Sequence, residues 1–169
     1  MSETMNSYTS LEVENMDDYE TIRIKKTPNS CSLCEEYAQK QASKPIAVLS
    51  CEGACLRGEI SRQAANRICF RLAPEETVRI CLGGAFTKDT GQRNLVRNAS
   101  RVVAIEGCLI RCASRMMQGV LVDLQPEVII ADALYDMDGD YFGIDDVTED
   151  QIRVHADTVA SKVIEKIKL

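Results

Sequence analysis

The chain has no tryptophan, a single histidine and only 5% aromatic residues among its 169 positions. Its core must then be built chiefly from aliphatic side chains. With 45% hydrophobic and 27% charged residues, the balance is that of a soluble globular protein. Also missing is any run of the ~18 apolar residues that a membrane-crossing helix needs. The first twenty residues carry six acids and no base, the reverse of a secretory signal. Together these absences lead to the expectation of a cytoplasmic protein with no membrane partner. No basic stretch is interleaved with aromatics and the formal charge is −6, so no nucleic-acid partner is expected either.

Cysteine, by contrast, is plentiful, with eight in the chain. In a reducing compartment, closely spaced cysteines read as metal ligands or redox groups sooner than as structural disulfides. Charge is unevenly distributed around them. Residues 1–50 carry five bases and eight acids, residues 51–118 eleven bases and six acids, and residues 119–169 four bases and twelve acids. Cys51, Cys55, Cys108 and Cys112 all fall in the positive segment, where thiolates are favoured. Most of Arg57, Arg62, Arg67 and Arg71 read simply as the wet face of a helix.

Residues 1–29 are expected to form an acidic tail, partly disordered, in which Tyr19 to Lys26 alternates weakly enough to allow a short strand. A single α/β domain over residues 30–169 follows. Pro28-Asn29-Ser30 and the helix formers after Cys34 mark its first helix. A unit then repeats: a short apolar run, a turn containing Gly or Cys, and a helical pattern. The runs are Ile46 to Ser50, Val78 to Leu82, Val102 to Ile105 and a fourth from Glu127 to Asp132, which predicts parallel strands buried on both faces. The expected architecture is a three-layer Rossmann-like or flavodoxin-like sheet of about four parallel strands, with helices on both faces. Ile60, Ala64 and Ile68 share one helical face, as do Ala113, Met117, Val120 and Leu124.

Further on, Asp138-Gly139 between aromatics predicts a tight hairpin. An EF-hand is excluded there, because Tyr141 stands where the calcium loop needs Gly and Val147 where it needs a bidentate Glu. Thr148-Glu149-Asp150-Gln151 is a capping box for a last helix, whose Ile152, Val159, Val163 and Ile167 should dock on the sheet. His155 lies on that helix away from any cysteine and reads as a surface residue.

Ligands of an open parallel sheet bind beyond the carboxyl ends of its strands. Cys51 and Cys55 follow the first strand, Cys81 closes the second, and Cys108 and Cys112 follow the third, so five thiols are predicted on one edge. Four thiolates at ~2.3 Å satisfy tetrahedral zinc. Cys69 reads instead as a small core residue. Cys31-Ser32-Leu33-Cys34 is left as a second metal half-site, a redox pair or a lid over the main cluster.

Val48 to Cys55, then Ile80-Cys81-Leu82-Gly83-Gly84, then Val103 to Ala113 resemble the successive blocks of the DGC family, cysteine-rich α/β proteins with an Asp-Gly-Cys motif. The resemblance spans roughly residues 46–135. It implies zinc-chelating cysteines at the matching positions and a small prokaryotic protein. Here Glu106 replaces the motif's Asp, and the first pair is spaced Cys-x3-Cys where the family has Cys-x2-Cys. Any four of Cys51, Cys55, Cys81, Cys108 and Cys112 remain eligible.

The expected function is therefore metal binding, with zinc as the cofactor and a role in metal handling or metal-dependent redox chemistry; a protein partner or homo-oligomer is compatible with it. An iron–sulfur cluster is an alternative, since it suits the same thiolates. A second alternative is an enzyme. Cys51 to Arg57 is a Cys-x5-Arg sequence similar to the oxyanion loop of low-molecular-weight tyrosine phosphatases and arsenate reductases, with Cys51 as nucleophile. Gly58 replaces the usual Ser or Thr of such loops. Were the site catalytic, Glu52, Glu106 and Asp132 would be the nearest acid–base groups.

Overall fold

The computed structural model describes residues 19–137 and 140–169. Its elements run α1 (Ser32–Lys40), β1 (Ile46–Ser50), α2 (Leu56–Arg67), β2 (Thr77–Arg79), α3 (Leu82–Thr87), α4 (Gly91–Asn98), β3 (Arg101–Glu106), α5 (Cys112–Gln118), β4 (Glu127–Ile130) and α6 (Glu149–Ile167). A wide-turned segment, Ile68–Leu72, continues α2. All strand pairings are parallel, in the order β2-β1-β3-β4.

Because side chains alternate across a strand, the continuous apolar runs feed two cores. Ile46, Val48, Val103 and Ile105 face the layer made by α2 and α6, where Ile60, Ala64, Ile68, Ile152, Val159, Val163 and Ile167 are buried. Ala47, Leu49, Val102 and Ala104 face the other layer, made by α1, α3, α4 and α5. The fold is thus α/β with helices on both faces. The crossover from β1 to β2 carries α2 on one face, and those from β2 to β3 and from β3 to β4 carry α3, α4 and α5 on the other. Connections that move in opposite directions along the sheet must use opposite faces if all share one hand.

Some expectations change in detail. Residues 19–31 form no strand, and Tyr19 to Lys26 is exposed. The second strand is shorter than its apolar run, ending at Arg79. Helix α5 stops at Gln118, so Val120 and Leu124 pack against the core from turns beyond it. The capping box of α6 forms, with Thr148 and Gln151 each accepting the other's backbone N–H. Cys69 is in the core. His155 is half-buried, its ring 5.1 Å from that of Tyr135. The hairpin expected at Asp138-Gly139 lies outside the described residues. No helix among the described residues is long and apolar enough to cross a membrane.

Candidate metal centre

β1 and β3 are adjacent, and the chain leaves them in opposite directions, β1 toward β2 and β3 toward β4. The crevice at such a reversal, beyond the carboxyl ends, is where open parallel sheets bind ligands. Cys51 emerges from β1 there, its N–H donating to the Ile105 carbonyl at 3.0 Å. Glu106, Gly107 and Cys108 emerge from β3 beside it.

The two loops meet backbone to backbone over the first turn of α2. A Cβ at Gly58 would lie 2.6 Å from the Gly53 nitrogen, and one at Gly107 would lie 2.9 Å from the Arg57 carbonyl carbon. Only glycine permits either approach. At this junction the buried Cys51 sulfur receives the N–H groups of Gly53 and Gly107. Burial pushes the Cys51 thiol up, the two N–H groups offset part of that, and the nearby Cys112 thiol and Glu106 carboxylate raise it further. Cys51 and Cys112 are therefore close enough to influence each other electrostatically.

Two buried charged residues hold this arrangement. Glu106 is wholly buried and accepts the N–H groups of Ala113 at 3.1 Å and Ser114 at 2.6 Å, satisfying the orphan donors that open α5. Arg79, 8% exposed, gives its guanidinium to the Ser50 hydroxyl and the Glu52 carboxylate, each at 2.6 Å, and also to the Ile80 carbonyl and Asn66. Ser50 and Glu52 flank Cys51, so Arg79 clamps the Cys51 loop. Glu52 and Glu106 are thus committed to structural partners. A charge inside the apolar run Val78 to Leu82 was the visible sign of Arg79; its role depends on tertiary packing.

The remaining thiols divide. Cys108 is half-buried and Cys112 exposed, and between them Leu109 and Ile110 are exposed and Arg111 sits in the left-handed region at φ 57°. Cys55 occupies the N-cap of α2 and is an electrostatic neighbour of Tyr135, whose phenol burial pushes up. Cys81 is exposed and an electrostatic neighbour of Cys34, in the pair ahead of the sheet. Hydrogen bonding to Cys31, then burial, pushes the Cys34 thiol up to about 11. The Cys34 N–H, directed at its sulfur, lowers Cys31.

Arg57 is turned to Asp132, at 3.0 Å, and its guanidinium carbon lies 3.8 Å from the centre of the Tyr141 ring. The Arg57–Asp132 contact is at ion-pair distance without the alignment of a hydrogen bond. Among the described residues, no three His, Cys, Asp or Glu side chains are preassembled to hold a metal ion. A cleft of about 540 Å³ between α1 and α4, lined by Glu35, Gly91 and Leu95 among others, contains none of the cysteines.

A family model, the DGC domain, matches residues 47–159. The chain belongs to the DGC domain family. The match takes in Cys51, Cys55, Cys81, Cys108 and Cys112, while Cys31 and Cys34 precede it. Within the DGC domain, Glu106-Gly107-Cys108 is now explained locally: the carboxylate opens α5, the glycine admits the α2 backbone, and the cysteine follows at the reversal crevice. No curated protein and no solved structure matches the chain.

Proposed function

We propose that this protein binds zinc through cysteine thiolates at the carboxyl edge of its sheet, and that Cys51, Cys108 and Cys112 are the principal ligands, with Cys55 or Cys81 as the fourth. The observation that carries this reading is that Cys51 and Cys108 leave the carboxyl ends of the adjacent parallel strands β1 and β3, at the reversal where open sheets bind ligands. The donor set fits the metal: thiolate sulfurs suit zinc, and N–H···S bonds stabilise the anionic form that a ligand must take. Chelation requires Cys108 and Cys112 to draw in on Cys51. The exposed Leu109 and Ile110 leave that loop without packing restraints. The role we favour is metal handling in the cytoplasm, since Cys112, one of the ligands, is exposed and gives an ion a route of exchange that a closed structural site lacks. A bacterial or archaeal cell is the expected setting.

Metal analysis and the absorption spectrum of protein purified without oxygen test the proposal. Stoichiometric colourless zinc is expected, together with a large fall in occupancy in Cys108→Ser. A brown chromophore would replace zinc with an iron–sulfur cluster.

A second reading is favoured by one observation, the pairing of Arg57 with Asp132 just beyond β4. These are the oxyanion-binding and acid groups that a Cys51 nucleophile would need. Against it, the Arg57 guanidinium is occupied by Asp132 and Tyr141, and burial holds the Cys51 thiol up. Metal-free protein with aryl-phosphatase or arsenate-reductase activity that survives Cys108→Ser would establish this reading in place of the first.

A further inference from the structure

The Cys31/Cys34 pair lies ahead of the family match, yet it is built into the fold. Cys31 is the N-cap of the nine-residue α1 and Cys34 is its third residue. Side chains three apart on a helix lie on one face, and a disulfide there needs the two Cβ atoms to close to about 3.5–4.5 Å, a small adjustment at the end of a helix. Cys31 is exposed and Cys34 half-buried, and the Cys34 thiol is influenced most by Cys31 and more weakly by Cys81.

The placement of α1 is fixed by two polar contacts. Gln92 on α4, only 2% exposed, accepts the Cys81 N–H at 2.9 Å and donates to the Cys34 carbonyl at 3.4 Å. One buried amide thus spans both thiol-bearing segments. One residue along, the Glu35 carboxylate accepts the Gly91 N–H at 3.0 Å. A pair on a loose tail would have no reason for a buried glutamine beneath it.

We propose that Cys31 and Cys34 form a thiol–disulfide exchange site whose substrate is a disulfide. The exposed Cys31 sulfur, at the N-cap of α1, attacks one sulfur of the substrate. The substrate S–S bond breaks, a Cys31 mixed disulfide forms, and the first substrate thiolate leaves. Cys34 then gives up its proton and attacks the Cys31 sulfur; the mixed disulfide breaks and the second substrate thiolate leaves. The substrate has gained two electrons and two protons, and the protein has lost them in forming the Cys31–Cys34 disulfide. Exposed Leu33, between the two cysteines, offers an apolar contact to whatever approaches.

The test uses the full-length protein, reduced and freed of reductant without oxygen, then exposed to oxidised glutathione, quenched with acid, alkylated and digested with trypsin. Cys31 and Cys34 fall in one tryptic peptide, residues 27–40, and Cys81 in another, residues 80–88. The expected result is that the first peptide loses both alkyl tags and two hydrogens while the second keeps its tag. In Cys34→Ser, glutathione should remain trapped on Cys31. Retention of both tags by the wild type, under oxidant that converts free dithiothreitol, would overturn the proposal. So would a cross-link joining the two peptides, which would pair Cys34 with Cys81. Thiols that resist alkylation until a chelator is added would make the trio a metal site instead and overturn it equally.

Discussion

Glu106 accepts the backbone N–H of Ser114 at 2.6 Å, with no solvent contact at either residue. The carboxylate reaches from the end of β3 to the start of α5, and so sets where Cys112 stands relative to Cys51. Replacing it with Gln removes the charge and turns an N–H group toward backbone donors. A loss of about 2 kcal/mol is expected for a charged hydrogen-bond acceptor at a buried site. Urea unfolding measures it, and Glu106→Asp, which keeps the charge, should cost less. Equal costs for the two variants would show that the charge is irrelevant there.

The Arg79 fork meets four acceptors beneath the Cys51 loop. Lysine has a single compact charged head and cannot reproduce that geometry. Arg79→Ala leaves Glu52 without its partner at the edge of the core and is expected to cost roughly 3 kcal/mol, or ~6–12 °C in Tm for a domain of this size. Arg79→Lys should recover less than half of this. Full recovery by lysine would mean that only the charge matters.

Gly58 and Gly83 make opposite predictions from the same substitution. An alanine Cβ at Gly58 would lie within 3 Å of three backbone atoms of Gly53, which cannot move without opening the Cys51 loop. Gly58→Ala is expected to lower both stability and metal occupancy. At Gly83, within α3, an added Cβ meets nothing within 4 Å. Gly83→Ala should stabilise by up to about 1 kcal/mol through helix propensity and a less flexible unfolded chain. Thermal melts of the two variants, read with metal analysis, check both; a neutral Gly58→Ala would contradict the close packing of the loops.

The contrast between these two glycines marks what was legible in the chain. Strand positions could be read because Ile46 to Ser50 and Val102 to Ile105 are apolar throughout, and a strand with helices on both faces must be. That Cys51 and Cys108 each follow the carboxyl end of a strand was readable for the same reason. Strand order was not, because periodicity says nothing about which strands neighbour one another. The placement of Cys81 near Cys34 was hidden by the same gap: Gln92, which bridges the two segments, is a polar residue that carries no signal along the chain. Arg79 interrupts an apolar run and shortens β2, a break that pattern reading passes over when its flanks are strongly apolar.

Cys69 sits in the core, and burial pushes its thiol up from 9.0 to about 11. A thiol is neutral until it loses its proton, so a raised folded value means that the unfolded chain ionises first. Stability from this group is therefore intact below about pH 9, falls as pH rises toward 11, and levels beyond. Two units amount to at most ~2.7 kcal/mol. Cys69→Ala should cost about 1 kcal/mol near neutrality through the small cavity it leaves, and it should remove this part of the alkaline decline. Urea midpoints of wild type and variant, compared at neutral pH and near pH 10.5, isolate the effect, because every other alkaline titration is common to both. If the two proteins lose the same stability over that interval, Cys69 ionises in the folded state as easily as in the unfolded one, and its burial is not what protects it.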